Sequence, residues 1–365
     1  MVRRTKFTIK VVKTMKIFNS KETKLWTQSN EQFKEKYGQE ESFPYTILSN
    51  TKFLNNNYEK TKLNNNILIL GTDTDCVENF IIPNISLTNE NYFLIDYNNY
   101  FYNRTRTILE KAGYEIIKID FNEDIYYTYN KDELLKCILQ NTSGLSTNKE
   151  KEEQVLGELI NQYTLKELGN LFKEESIKLD ITLSEEELND IYKSCKYRLF
   201  STMYLEDILL KNVKINYMKK FAIFINYKAL EDMKFLENAI ILKIIDELKS
   251  NSLNSTKVIF YDFIKHNNSQ LIQKIKQNTN KNINFTICLS EISKLKDMYE
   301  ENLEDILNLF DIKLYFGTNN SSNSEFIKKA FNLKKIKEDL ITLEPTSCLI
   351  LIKNDRYLDE KFYEN

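Results

Sequence analysis

The stretch from Leu70 to Val77, L-G-T-D-T-D-C-V, follows a short apolar run, as a phosphate-binding loop follows its strand. A working loop reads G-x-x-x-x-G-K-[ST]: its backbone N–H groups surround the phosphates, the lysine meets the outer phosphates, and the hydroxyl holds Mg²⁺. On this pattern the two glycines, the lysine and the hydroxyl residue are replaced by Leu70, Asp75, Cys76 and Val77. The stretch therefore has the position of a nucleotide site without the side chains that perform its chemistry.

Two carboxylates, Asp73 and Asp75, follow Gly71 in this stretch. At ~4 Å and an effective dielectric constant of ~20, each contact between a carboxylate and a phosphate charge costs on the order of 4 kcal/mol. We therefore expect no cofactor, and ATP or Mg²⁺-ATP binding is disfavoured. Asp is also common at helix N-termini, and we favour that structural interpretation of both residues.

A rebuilt site is the alternative interpretation of the same residues. The D-x-D spacing could hold a divalent metal for a nucleotide-sugar, or the loop could belong to a Rossmann-like fold with Asp96 on the ribose. Neither a second carboxylate cluster nor a glycine fingerprint accompanies it. Cys76 at a helix start could be reactive, but the chain has one histidine, His266, far along the sequence. A buried, inert thiol is the favoured interpretation, and no metal site is predicted.

Composition excludes several classes of protein. Of 365 residues 42% are hydrophobic, which suffices for a substantial core. The net charge of −2 gives no global basic field for nucleic acid, so DNA binding stays open but unsupported. The five cysteines form no C-x-x-C pair, which indicates a reducing compartment. No apolar run approaches the ~18 residues of a membrane span, so we expect a cytoplasmic protein, with peripheral contact at the inner membrane face left open.

Short apolar or β-branched runs alternate with helical patterns along the chain. This alternation predicts an α/β fold with a mostly parallel sheet covered by helices on both faces. The predicted strands are Ile67–Leu70, Tyr92–Ile95, Glu115–Ile119, Phe221–Ile225, Val258–Tyr261, Phe285–Leu289, Ile312–Phe316 and Cys348–Ile352. The predicted helices include Glu78–Ile82, closed by Pro83, and Thr105–Ala112, Leu236–Leu248, Gln270–Lys276 and Ser324–Phe331.

The strand pattern stops between about residues 138 and 212, where the sequence is polar and helical. Ser184 and Glu187 have the spacing of a capping box there, and Asn141–Glu150 reads as a linker. We predict an N-terminal extension over 1–21, a discontinuous nucleotide-binding-type domain over 22–137 and 213–365, and an all-helical insertion over 138–212.

The order of these segments resembles the coupling proteins of type IV secretion and conjugation systems, the TraG/TraD type. Five passages carry the resemblance over roughly residues 22–365. They are Tyr45–Ser49 with Lys60–Asn66 before the loop; Asn66–Gly71 with Phe80 and Pro83-Asn84; Tyr92–Asp96 with Leu109–Tyr114; Val258–Phe263, similar to a Walker B strand; and Phe285–Lys296 with Asp311–Gly317. The resemblance implies a RecA-like P-loop NTPase fold.

The departures from that family all fall on chemistry. Of its Asp-Pro-Lys-Gly-Glu motif only Asp96 remains. Tyr261 stands in place of the Asp that anchors Mg²⁺, and Asp262 in place of the catalytic Glu, although a slip of one residue would return Asp262 to the metal role. Ser290 stands where the family has a glutamine. The family's two N-terminal membrane helices have no counterpart in this sequence.

The resemblance and the departures together imply a catalytically degenerate relative, or pseudo-ATPase. Such a chain would be a non-hydrolysing subunit, adaptor or regulator of DNA or protein transfer. Its partners would be a coupling protein or other type IV secretion components, in a homo- or hetero-oligomer. Three alternatives stay open: an enzyme using Asp73, Asp75 and Asp96, a weak DNA-translocating ATPase, and a mobile-element protein with an unrelated task.

Overall fold

The computed structural model describes residues 28–40, 44–97, 99–120, 131–174, 184–199, 215–227, 234–251, 254–266, 269–278, 282–290, 303–317 and 345–363, with positions 295, 327, 330, 331 and 343. The predicted N-terminal extension lies outside these residues, and so does most of the predicted helix over Ser324–Phe331.

Helices and strands alternate through the described chain. The helices are α1 (Asn30–Tyr37), α2 (Tyr58–Thr61), α3 (Asp73–Cys76), α4 (Ile82–Leu87), α5 (Tyr100–Lys111), α6 (Lys131–Asn141), α7 (Lys149–Gln162), α8 (Leu165–Glu174), α9 (Glu185–Arg198), α10 (Lys234–Asn251), α11 (Ser269–Lys276) and α12 (Leu303–Asn308). The strands are β1 (Tyr45–Ile47), β2 (Phe53–Asn55), β3 (Ile67–Leu70), β4 (Asn91–Tyr97), β5 (Glu115–Asp120), β6 (Phe221–Tyr227), β7 (Thr256–Phe260), β8 (Ile283–Leu289), β9 (Ile312–Tyr315), β10 (Ser347–Ile352) and β11 (Asp355–Glu360). Each predicted strand is present, with ends within two residues of the prediction.

The main sheet has the order β11-β10-β9-β3-β8-β7-β4-β6-β5 within the described chain. The pairs from β9 across to β5 are parallel, whereas β10 is antiparallel to both β9 and β11. A separate antiparallel hairpin joins β1 and β2. The predicted mostly parallel sheet is therefore confirmed. The sequence prediction missed β11, whose strand D-R-Y-L-D-E carries too few apolar residues to stand out.

Both faces of the sheet are buried, as the near-continuous apolar strands require. Successive residues of β3 alternate between two cores: Leu68 and Leu70 belong to one, and Ile67 and Ile69 to the other. The first core includes side chains of α6 to α10, and the second includes those of α4 and α5. No helix of the described chain is long and apolar enough to cross a membrane.

An all-helical insertion is predicted over residues 138–212, and the described part of this range contains the end of α6 and helices α7 to α9. The Ser184–Glu187 capping box is present, and Arg198 Nε lies 2.9 Å from the Glu152 carboxylate in a buried ion pair between α7 and α9. Helix α6 runs through residue 138, and these helices share one core with the sheet. The division into a discontinuous domain and an insertion stays a prediction.

The helix after β3 departs from the sequence prediction. It does not close at Pro83: it begins at Asp73, passes through a π-helical turn at Val77–Ile81, and continues to Leu87. The wider turn accommodates a residue without an N–H group. Asn84 then donates from Nδ2 to the carbonyl oxygens of Phe80 and Ile47, both at 2.9 Å, which supports the turn from the side.

Candidate functional site

Four neighbouring strands, β3, β8, β7 and β4, end at the same edge of the sheet because they run parallel. The residues that follow them or close them are the predicted site positions: Gly71, Ser290, Tyr261, Asp262 and Asp96. In open parallel sheets, ligands bind at this edge. The structure thus brings the predicted positions to one edge of the sheet, where their side chains make different contacts.

The connection from β3 to the following helix is two residues long. Strand β3 ends at Leu70 and α3 begins at Asp73, so only Gly71 and Thr72 lie between them. The Gly71 N–H donates to the carbonyl oxygen of Leu289 at 3.2 Å, and the Cys76 N–H donates to that of Thr72 at 3.0 Å. The Gly71 N–H is therefore part of the sheet, and the Cys76 N–H is part of the first helical turn.

Asp75 lies within that first turn and is held on three sides. Thr72 Oγ1 donates to its carboxylate at 2.8 Å, while the Asp75 N–H donates back to Thr72 Oγ1 at 3.2 Å. Asn79 Nδ2 lies 3.1 Å from Oδ1, and Lys361 Nζ, from the residue after β11, lies 2.6 Å from the same oxygen. This is the helix-capping arrangement that the sequence favoured for Asp75, with an added ion pair.

Cys76 and Val77 point into the protein rather than toward the sheet edge: they are 2% and 5% exposed and belong to the second core. The prediction that Cys76 is a buried thiol agrees with this position. Gly71 is needed for packing, since a Cβ at this position would lie 2.9 Å from Phe316 Cβ. The group that approaches Gly71 closely is therefore the Phe316 side chain.

Asp96 is fully buried at the end of β4 and caps helix α5. Its two carboxylate oxygens accept the backbone N–H groups of Phe101 at 3.0 Å and Tyr102 at 2.9 Å. Burial raises the Asp96 pKa to about 6, against these hydrogen bonds, which favour the charged form. The carboxylate oxygens therefore serve the start of the helix.

Tyr261 and Asp262 come directly after β7, and the Tyr261 side chain is part of an aromatic cluster. The Tyr261 ring packs edge-on against Phe101, with centroids 5.4 Å apart, and against Tyr97 at 6.3 Å. An aromatic cluster therefore fills the space between the ends of β4 and β7. Asp262 is half-buried and has a left-handed backbone with φ 55°, as in a tight turn.

Fewer contacts are described for the remaining predicted positions, Ser290, Asp73 and His266. Ser290 follows β8 and is exposed. Asp73 is the first residue of α3 and His266 ends a 3₁₀ turn, and the side chains of both lie outside the described part of the structure. In the described part, no group of three or more His, Cys, Asp or Glu side chains is placed to hold a metal ion.

Sequence reasoning does not identify two residues of this edge, Thr72 and Lys361. Thr72 has a local signal, because Thr72 and Asp75 match the pattern [ST]-x-x-[DE] of a capping box. Lys361 has none, because it is 286 positions from Asp75 in the sequence and no local pattern marks it.

Comparison with known proteins gives matches in structure only. No protein-family model matches the chain, and no curated protein matches its sequence. The bacterial conjugative coupling protein TrwBdeltaN70, in an unbound form, superposes with a TM-score of 0.63 over 92% of each chain at 12% identity. TrwB in complex with the non-hydrolysable GTP analogue GDPNP gives 0.58, with 83% of this chain and 86% of that chain covered at 12% identity. VirB4 of Thermoanaerobacter pseudethanolicus gives 0.55, with 89% and 98% covered at 12% identity.

These matches confirm the resemblance at the level of fold: the chain has the RecA-like α/β architecture that the conjugative coupling protein TrwB and VirB4 share. A common architecture does not carry a common activity, because activity depends on the residues of the site.

Proposed function

We propose that this chain is a nucleotide-independent relative of the conjugative coupling proteins, and that it acts as a non-hydrolysing subunit, adaptor or regulator of DNA or protein transfer through a type IV secretion system. The observation that carries the proposal is the two-residue connection between β3 and α3, with Asp75 already bound within the chain.

The length of the connection bears on phosphate binding directly. The P-loop pattern places four residues between its two glycines, and their N–H groups surround the phosphates. Here Gly71 and Thr72 are the whole connection, and the Gly71 N–H is bound to Leu289. A loop this short cannot encircle a phosphate group, so the backbone does not fit a nucleotide.

The charge at this position argues the same way. An incoming phosphate would face the Asp75 carboxylate, and for an unpaired carboxylate at ~4 Å and a dielectric constant of ~20 that contact costs on the order of 4 kcal/mol. The Lys361 ammonium, 2.6 Å from Asp75, offsets part of this repulsion, but it is then already engaged and does not make the phosphate contact of a P-loop lysine. Cys76 and Val77 are buried, so neither can supply the lysine or hydroxyl contact. The residues present therefore do not fit a triphosphate, and we expect no bound cofactor.

The other carboxylates of the edge are engaged or poorly placed. Asp96 accepts two backbone N–H groups of α5, and Tyr261 occupies the space beside it with an aromatic ring. Among the described residues, Asp75 and Asp96 share no hydrogen-bond or ion-pair partner. The geometry therefore supports a non-catalytic role better than an enzyme that uses both carboxylates.

Hydrolysis is tested by phosphate release from ATP at several protein concentrations, with and without Mg²⁺. We expect no release above background from the wild-type chain. The matched variant is Asp262→Ala, which removes the carboxylate that a slip of one residue would return to the metal role of a Walker B strand. Stoichiometric turnover that disappears in Asp262→Ala would contradict the proposal.

The role in transfer is tested by mixing the purified chain with the coupling ATPase of a type IV secretion system and measuring co-elution and ATPase rate. Co-elution, or a changed rate of the partner, supports an adaptor or regulator. If neither occurs with the ATPase from the same genetic neighbourhood, the chain has a task outside transfer.

A further inference from the structure

The C-terminal segment reaches the connection after β3 through one side chain. Lys361 follows β11, and its N–H donates to the carbonyl oxygen of Thr346 at 2.7 Å. Its side chain is 3% exposed and passes the Phe316 ring, with Nζ 5.9 Å from the ring centroid. The ammonium ends 2.6 Å from Asp75 Oδ1.

Each partner of this contact is also held by other bonds within the chain. Asp75 is held by Thr72 and Asn79 within its own helical turn. Lys361 is held by β11, which pairs with β10 along its whole length. A buried ammonium that loses its carboxylate stays uncompensated, and such a loss is strongly destabilising. The ion pair therefore joins the end of the chain to the end of β3.

We propose that Asp75 and Lys361 form an internal plug at this edge of the sheet. In a P-loop a lysine ammonium binds the oxygens of a phosphate; here an ammonium binds the oxygen of a carboxylate that belongs to the chain. The carboxylate takes the place of the bound anion, and the ammonium fastens the β10–β11 hairpin against it. This inference rests on the proposed function, in which no nucleotide occupies this edge, and it assigns the position of the anion to the Asp75 carboxylate.

The plug is tested with Asp75→Asn, Lys361→Met and the double variant, by thermal unfolding of the full chain. We expect each single variant to lower Tm by several degrees. The double variant should lose much less Tm than the two single losses added together, because a neutral pair leaves no buried charge. Lys151→Met is the control, because Lys151 forms an exposed ion pair with Glu187, and its Tm should match that of the wild type.

Additive losses in the double variant would overturn the plug. If a single variant is too unstable to purify, soluble yield replaces Tm. The double variant must then be recovered better than that single variant, and an equal or lower yield overturns the pair.

Inorganic pyrophosphate gives a second test of the anion's position. Asp75→Ala keeps the ammonium and removes the side chain that occupies the anion's position, so pyrophosphate should raise the Tm of this variant, and not that of the wild type or of the variant that combines Asp75→Ala with Lys361→Met. No rise in Asp75→Ala, or an equal rise in the wild type, overturns the plug. These outcomes test the plug alone. The proposed function fails on a different result, namely ATP binding or hydrolysis by the wild-type chain.

Discussion

Gly71 separates two explanations of the same residue. As a remnant of a phosphate loop it would be needed for a ligand, whereas in this structure a Cβ would collide with Phe316 Cβ at 2.9 Å. We predict that Gly71→Ala lowers the free energy of unfolding by about 1–3 kcal/mol, as overpacking does. Denaturant unfolding measures it.

The control for this substitution is Gly157→Ala in helix α7, where the added Cβ would meet the flexible end of Leu135 at 3.3 Å. Alanine is the better helix former by up to ~1 kcal/mol, so this variant should be as stable as the wild type or more so. A Gly71→Ala variant with unchanged stability would contradict the packing explanation.

Asp96 makes stability depend on pH in a defined direction. Its pKa in the folded chain is raised to about 6, above the ordinary value of 3.8. The folded state therefore holds its proton more tightly, and the contribution of this group to stability is fully present below pH ~4 and lost as pH rises through ~6.

Asp96→Asn removes this titration, so the stability of the wild type relative to Asp96→Asn should fall between pH 4 and pH 7. The comparison uses unfolding free energies at each pH, with the exposed Asp190→Asn on α9 as the control. A difference that is flat across this range, or that rises, would show that Asp96 is not held in its neutral form by burial.

At the scale of elements, Asn84 links the helix after β3 to the β1–β2 hairpin. Its side chain accepts the Ile47 N–H at 3.0 Å and donates to the carbonyl oxygens of Ile47 and Phe80. Each buried backbone group left without a partner costs about 1–3 kcal/mol. We predict that Asn84→Ala destabilises the chain by at least ~2 kcal/mol.

Hydrogen exchange should locate this loss. Faster exchange is expected in β1 and in the π-helical turn, while Asn103→Ala, an exposed substitution on α5, should change stability by less than ~0.5 kcal/mol. Protection of Ile47 that is unchanged in Asn84→Ala would contradict the role given to this side chain.

The elements were predictable to different degrees, for physical reasons. Strands such as Ile67–Leu70 carry continuous apolar runs because both faces of the sheet are covered, so their positions were correct. The sequence predicts a helix end at Pro83, and this prediction is wrong because a π-helical turn, which tolerates the proline, has no sequence signature. The candidate site was predictable as a set of strand ends. Its decisive contact was not, because Lys361 approaches Asp75 through tertiary folding alone.

At the scale of the whole molecule, the sheet and both cores agree with a RecA-like fold, while the edge that would act on nucleotide is occupied by the chain's own side chains. Asp75 is paired with Lys361, Asp96 caps α5, and Tyr261 packs on Phe101. Each of these contacts stabilises the architecture. We propose that the chain keeps the fold and uses the positions of a nucleotide site for its own structure.

Calorimetric titration of the wild-type chain with Mg²⁺-ATP tests this claim most directly, with thermal unfolding as a parallel readout. Ligand at 100 times its dissociation constant would stabilise the chain by about 2.7 kcal/mol, which is readily seen in Tm. We predict no saturable heat and no change in Tm. Saturable, Mg²⁺-dependent binding that is abolished by Asp75→Ala would contradict it, and would mean that the connection after β3 is a working ligand site.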